Sequence, residues 1–157
     1  MEYHNPVLLK ETVDGLNIKP DGVYVDVTFG GGGHSKEILR RLGPNGKLFA
    51  FDQDEDALAN ALPDERFELI NENFRHIKRF LRFYGVRSVD GILGDLGVSS
   101  HQFDVPKRGF STRFDAGLDM RMSQKNDLNA YKVVNEYDDA NLRRVFYDYG
   151  ELKNAPA

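Results

Sequence analysis

An α/β fold built on a parallel sheet is what this sequence predicts, and three observations carry that expectation. Strand-like and helix-like segments alternate at short pitch from Val23 to Leu93. The first strand runs into four consecutive glycines, Gly30 to Gly33, ahead of a helix. The second strand ends on an acid, Asp52, placed 22 residues after Gly30. Sheets of this kind bind ligands beyond the carboxyl ends of their strands, so those ends are where chemistry is sought.

Each element has its own warrant. Val23 to Phe29 alternates Val, Tyr and Val before the glycines and reads as the first strand. Ser35 to Leu42 suits a helix, stopped by Gly43-Pro44 and Gly46. Lys47 to Phe51 is a short apolar second strand. Asp54 to Leu62 reads as a helix capped by Asp54 and ended by Pro63, and Phe67 to Ile70 as a third strand. From Phe74 to Tyr84, apolar residues at 74, 77, 80, 81 and 84 form a helical stripe. Val89 to Leu93 is a buried fourth strand running into Gly94-Asp95, adjacent to the first in a doubly wound sheet. Ser100 to Asn126 is a long irregular stretch, and a loop of that length in a compact domain is usually functional or poorly ordered. Asp138 to Tyr149 closes as an amphipathic helix with Leu142, Val145, Phe146 and Tyr149 on one side.

Bulk properties bound the reading. At 157 residues there is room for one domain with a usable core, and 40% apolar with 29% charged residues is an ordinary globular composition. No apolar run reaches the ~20 residues of a membrane span, and Met1 to Lys10 shows no secretory pattern, so a cytoplasmic location is expected. The chain has no cysteine, which removes disulfides, thiolate metal sites and cysteine nucleophiles together. A net charge of −4 speaks weakly against coating nucleic acid but leaves room for a basic patch. One candidate is the span from Asn73 to Val89, with Arg75, Lys78, Arg79, Arg82, Arg87 and no acid. Its charges also fit the solvated face of a helix.

Three strand ends carry candidate chemistry. Glycines between a strand and a helix let backbone N–H groups approach a ligand at the positive end of the helix, although a tight turn needs some of them as well. The run fits G-x-G-x-x-G at its first two glycines, with Ser35 at the third. Asp52 suits acceptance of ribose hydroxyls, or a turn cap; with Asp54 it disfavours a ribose phosphate. Asp95, opening Asp95-Leu96-Gly97-Val98-Ser99-Ser100, either accepts from an amine and aligns it with an electrophile or caps a turn.

The segments His4-Asn5-Pro6-Val7-Leu8-Leu9-Lys10-Glu11, Asp26-Val27-Thr28-Phe29 with the glycines, Asp95 to Ser100, and Arg108-Gly109-Phe110-Ser111 with Leu118-Asp119-Met120-Arg121-Met122 occur in one order. Together they closely resemble the bacterial 16S rRNA cytosine-N4 methyltransferases of the MraW/RsmH type, over essentially the whole chain. The resemblance implies a Rossmann-like core of a class I S-adenosylmethionine-dependent methyltransferase over residues 1–125 and the start of a helical insertion over 126–157. It implies S-adenosylmethionine against Gly32, Gly33, His34 and Asp52, with Phe74 near the adenine and Asp95 and Gln102 completing the site. His101 stands where the family usually has proline, and Asp115-Ala116-Gly117-Leu118 replaces a commoner Asp-Gly-Pro-Leu.

The implied reaction is direct methyl transfer to cytosine N4, with Asp95 as catalytic residue, no metal and no covalent intermediate. The missing cysteine agrees, because C5-methylation needs a thiolate. The partner implied is 16S rRNA or the small ribosomal subunit, with the target base unpaired or extruded. Arg108, Phe110, Arg113 and Arg121 are the candidates for gripping RNA, Phe114 is a second stacking candidate, and Phe110 and Met120 are equally suited to anchoring the loop. His4 either reaches the active site or satisfies a local bond. Family members are longer, so the chain reads as a truncated part with an incomplete sheet, expected to self-associate through its edge and to lack activity alone. Competing readings are a non-catalytic cofactor- or RNA-binding module and a dinucleotide-dependent oxidoreductase; the latter leaves Asp95 and the arginine loop unexplained.

Overall fold

The computed structural model describes residues 6–152, so His4 lies outside the described residues. The chain divides into two compact units, Met1–Ser100 and His101–Ala157. Among the described residues no helix is long and apolar enough to cross a membrane.

The first unit is a four-stranded parallel sheet in the order β3-β2-β1-β4. Its strands are β1 (Val23–Asp26), β2 (Lys47–Phe51), β3 (Phe67–Ile70) and β4 (Gly91–Leu93). In register, Tyr24 lies beside Leu48 on one side and Gly91 on the other, and Asp26 beside Ala50 and Leu93. Period-two alternation then splits the apolar residues between two faces. Tyr24, Leu48 and Leu93 pack with Val13 of α1 (Leu9–Gly15) and with Ile38 and Leu39 of α2 (Gly33–Arg41). Val25, Phe49, Phe51 and Ile70 pack on the other face against Ile77, Phe80 and Leu81 of α3 (Ile77–Phe83). Covered on both faces, β2 can be apolar at Leu48, Phe49, Ala50 and Phe51 in succession.

Several elements are shorter than the sequence predicts, each for a local reason. β1 ends at Asp26 rather than Phe29: the Asp26 carboxylate takes the Thr28 N–H at 3.0 Å in a local turn, while Val27 N and Phe29 N still donate to Leu93 O and Phe51 O. The helix expected over Asp54 to Leu62 is a 3₁₀ helix, Glu55–Asn60, capped by Asp54 as anticipated. It is too short to propagate before Pro63. The stripe from Phe74 begins as a 3₁₀ turn, Phe74–His76, before α3 takes over. Val89 and Asp90 precede β4, since both Asp90 carboxylate oxygens are used, one by Lys19 Nζ and the other by the Val23 N–H. α1 had no counterpart in the sequence pattern; Leu8 caps it in a left-handed conformation with no side-chain bond, so the usual start signal is missing.

The second unit holds α4 (Ser100–Asp104, which begins on the last residue of the first unit), α5 (Ala130–Glu136) and α6 (Asp139–Asp148). Asn129 and Asp138 cap α5 and α6 by accepting from Lys132 N and Asn141 N. On α6 the expected apolar side is covered only in part: Leu142 and Val145 are half-buried, whereas Phe146 and Tyr149 are exposed.

Candidate functional site

The order β3-β2-β1-β4 makes β1 and β4 neighbours although they are the first and last strands in sequence. The chain leaves β1 toward one side of the sheet and later returns to the other, which opens a crevice at the carboxyl ends of these two strands. The glycine loop follows β1 and Asp95 follows β4, so the topology places both at that edge.

Two glycines of the loop are required by its shape. Gly32 has φ 75°, and a Cβ there would lie 2.9 Å from the Phe29 ring, which is buried against Ala50 and Ala57. A Cβ on Gly33 would overlap the ring of Pro6, so the proline of the N-terminal motif packs directly on the loop. Gly32 caps α2 without a side chain, leaving the N–H groups of the first turn to other partners. His34, in that turn, is 5% exposed, and its Nε2 is buried with no hydrogen-bond partner. A buried imidazole nitrogen without a partner is costly unless a bound group supplies one.

Asp52 is the acid that shapes the loop. Its Oδ2 accepts the Gly30 N–H at 2.8 Å, and its Oδ1 accepts the Asp54 N–H at 2.9 Å. Asn60 completes the grip by donating to the Gly30 carbonyl at 3.0 Å. The next turn is tied in through Asn73, whose side chain donates to Gln53 at 2.8 Å and caps the turn that carries Phe74. Phe74 itself is 41% exposed, a ring free to take a planar partner.

Asp95 is exposed, and its carboxylate makes no hydrogen bond or ion pair among the described residues. Its backbone N–H donates to the Thr28 hydroxyl at 2.7 Å. Behind Thr28 stands Asp26, fully buried, accepting from Thr28 N and, at 2.8 Å, from the Ser35 hydroxyl. Burial pushes the Asp26 carboxyl above the ordinary carboxylate range, and the bonds from Ser35 and Thr28 oppose that shift. Asp26, Thr28 and Ser35 stood in the sequence motifs without an assigned role, and Asn60 was not singled out at all. The Asp-x-Thr pattern at a strand end was an available signal for a side-chain turn, whereas nothing local marks Asn60.

In the second unit Gln102 is buried on α4. The arginines of the long loop divide by role. Arg108 is 2% exposed, with its guanidinium donating to the Arg121 carbonyl at 2.9 Å. Arg121 forks onto Asp119 through bonds of 2.8 and 2.7 Å and holds Asn126 O at 2.7 Å. Arg113 is exposed, pairs with Asp104 at 2.7 Å and stacks over Phe114 at 5.4 Å. Phe110 is half-buried. The stretch lacks regular structure apart from α4 and a 3₁₀ turn at Pro106–Arg108, yet it is pinned throughout. On α3, Lys78, Arg79 and Arg82 are exposed opposite the packed Ile77, Phe80 and Leu81, the solvated face of an amphipathic helix.

Comparison with known proteins adds a family. The model of the MraW methylase family matches residues 1–156. The ribosomal RNA small subunit methyltransferase H of Flavobacterium johnsoniae is 88% identical over 156 residues, covering 99% of this chain and 52% of that protein. The protein of the same name from Christiangramia forsetii is 72% identical, with the same coverage of 99% and 52%. The chain therefore spans about half the length of the curated relatives it matches. Among solved structures, TrmN from Thermus thermophilus is 26% identical with a TM-score of 0.48, covering 57% of this chain and 27% of that one.

Proposed function

Because the chain belongs to the MraW methylase family, we propose that it supplies the cofactor-binding part of an S-adenosylmethionine-dependent enzyme that methylates N4 of a cytosine in 16S ribosomal RNA. The observation that carries this reading is the placement of an exposed, unpaired carboxylate, Asp95, just beyond the end of β4, the strand beside β1 and its glycine loop. The residues present fit the cofactor. The orphaned Nε2 of His34 and the N–H groups of the α2 first turn await partners, and Asp52 is an acceptor beside the loop at the end of β2. Phe74 offers a ring face to a base.

Bound S-adenosylmethionine supplies an electrophilic methyl group on a sulfonium. The chain's own residues provide alignment and proton acceptance. The N4 lone pair of cytosine is delocalised into the ring, so the amine is a weak nucleophile and gains most from being held in line. Asp95 accepts one N4 hydrogen, which turns the lone pair toward the electrophile and drains positive charge from the nitrogen as the new bond forms.

For RNA, the pinned loop of the second unit is the candidate surface. Arg113, with Phe114 beneath it, is the exposed contact, Phe110 is a second stacking candidate, and Arg108 and Arg121 hold the loop in shape. Methyl transfer from radiolabelled S-adenosylmethionine to 30S subunits and to naked 16S RNA tests the reading, with the product nucleoside identified by mass spectrometry. N4-methylcytidine is the expected product. In the full-length enzyme Asp95→Ala should lower the transfer rate far more than RNA affinity, and full activity of that variant at saturating cofactor would remove Asp95 from the chemistry.

A further inference from the structure

Asp95 reaches its position without help from its own side chain. β4 ends at Leu93, whose carbonyl accepts the Val27 N–H at 2.9 Å as the last bond between the two strands. Beyond it Gly94 is exposed, and the Asp95 carboxylate has no partner among the described residues. The direction of that carboxylate therefore depends on where the Asp95 backbone is held. The hold on it is the Thr28 hydroxyl, which accepts the Asp95 N–H at 2.7 Å. That hydroxyl is oriented in turn, since its proton points to Asp26 Oδ1 at 3.4 Å while the Thr28 N–H meets the same oxygen at 3.0 Å. The other oxygen of Asp26 takes the Ser35 hydroxyl at 2.8 Å, in the first turn of α2.

We propose that Thr28, braced by the buried Asp26, is the positioning residue for Asp95, and that the chain Ser35–Asp26–Thr28–Asp95 fixes the acceptor carboxylate relative to the glycine loop. The role rests on the reading of Asp95 as the acceptor for the target amine. A carboxylate buried without a counter-cation is expensive, and here three donors converge on it. Two of those donors belong to Thr28 and one to the helix that follows the loop. The arrangement links the first turn of α2 to the end of β4 through the short side chains of Ser35, Asp26 and Thr28.

Thr28→Val keeps the shape of the side chain and removes the acceptor for the Asp95 N–H. Thr28→Ser keeps the acceptor and removes a methyl group. Amide hydrogen exchange at Asp95 reads the bond itself, with or without turnover. Thr28→Val is expected to speed that exchange by about tenfold, and Thr28→Ser to stay near the wild type. In methyl transfer by the full-length enzyme, Thr28→Val should lower kcat by about tenfold with little change in the dissociation constant for S-adenosylmethionine, and Thr28→Ser should restore it. Unchanged Asp95 exchange in Thr28→Val would overturn the proposal, as would faster exchange with unaltered kcat. Asp95→Ala assayed alongside separates the two ideas. If it turns over normally, the acceptor reading falls, and the exchange result still states whether Thr28 holds that backbone.

Discussion

Asp52 braces the glycine loop with its two oxygens and is the proposed acceptor for ribose hydroxyls, and this sets what its removal should do. Its bonds to Gly30 N and Asp54 N hold the loop. Asp52→Ala should therefore weaken S-adenosylmethionine binding by about 1–3 kcal/mol, read by calorimetry, and equal affinity would take Asp52 out of the site. A second residue-scale expectation concerns acid. Asp64 is held down to about 2 by the guanidinium of Arg66, which also reaches the Leu42 carbonyl at 2.7 Å and so ties the end of α2 to the start of β3. A carboxylate depressed in the folded state adds stability above its unfolded value, about 3.9, and loses it as pH falls toward the folded one. The stability gap between wild type and Asp64→Ala should be full near neutrality and close between about pH 4 and 2. A gap independent of pH would mean that packing, not the charge pair, accounts for it.

At the scale of elements, the glycine loop is the most demanding piece. Gly32→Ala forces a left-handed residue and a contact with the Phe29 ring, so thermal unfolding should show a loss of about 1–3 kcal/mol together with weaker cofactor binding. An unchanged melting curve would show that the loop relaxes freely. The strands were legible because apolar alternation and the acids that end them are local signals: β2 and β3 fall where the pattern puts them. What was not legible depends on partners far along the chain. The Asn60 bond that fixes Gly30 spans 30 residues, and the Thr28 bond that holds the Asp95 backbone spans 67. The long loop from Ser100 could not be called ordered from composition alone. Its order comes from Arg108 and Arg121 seeking carbonyls and Asp119, and an arginine reads the same in sequence whether it faces RNA or a loop carbonyl.

For the first unit as a whole, the strand order explains how distant residues meet. Asp26 and Asp95 lie 69 positions apart in sequence, yet β1 and β4 are hydrogen-bonded neighbours, so Thr28 bridges them in one step. The sequence reading placed the glycine loop, Asp52 and Asp95 at strand ends and anticipated that the fourth strand would lie beside the first. It did not reveal the buried brace between them, because Asp26 looks like an ordinary strand residue until its neighbours are known. The central claim is that these strand ends form an S-adenosylmethionine site. Isothermal titration of the protein with S-adenosylmethionine, and separately with a nicotinamide dinucleotide, tests it most directly. Saturable binding of S-adenosylmethionine that weakens in Asp52→Ala, with no binding of the dinucleotide, is the predicted result. Tight dinucleotide binding with none of S-adenosylmethionine would contradict it.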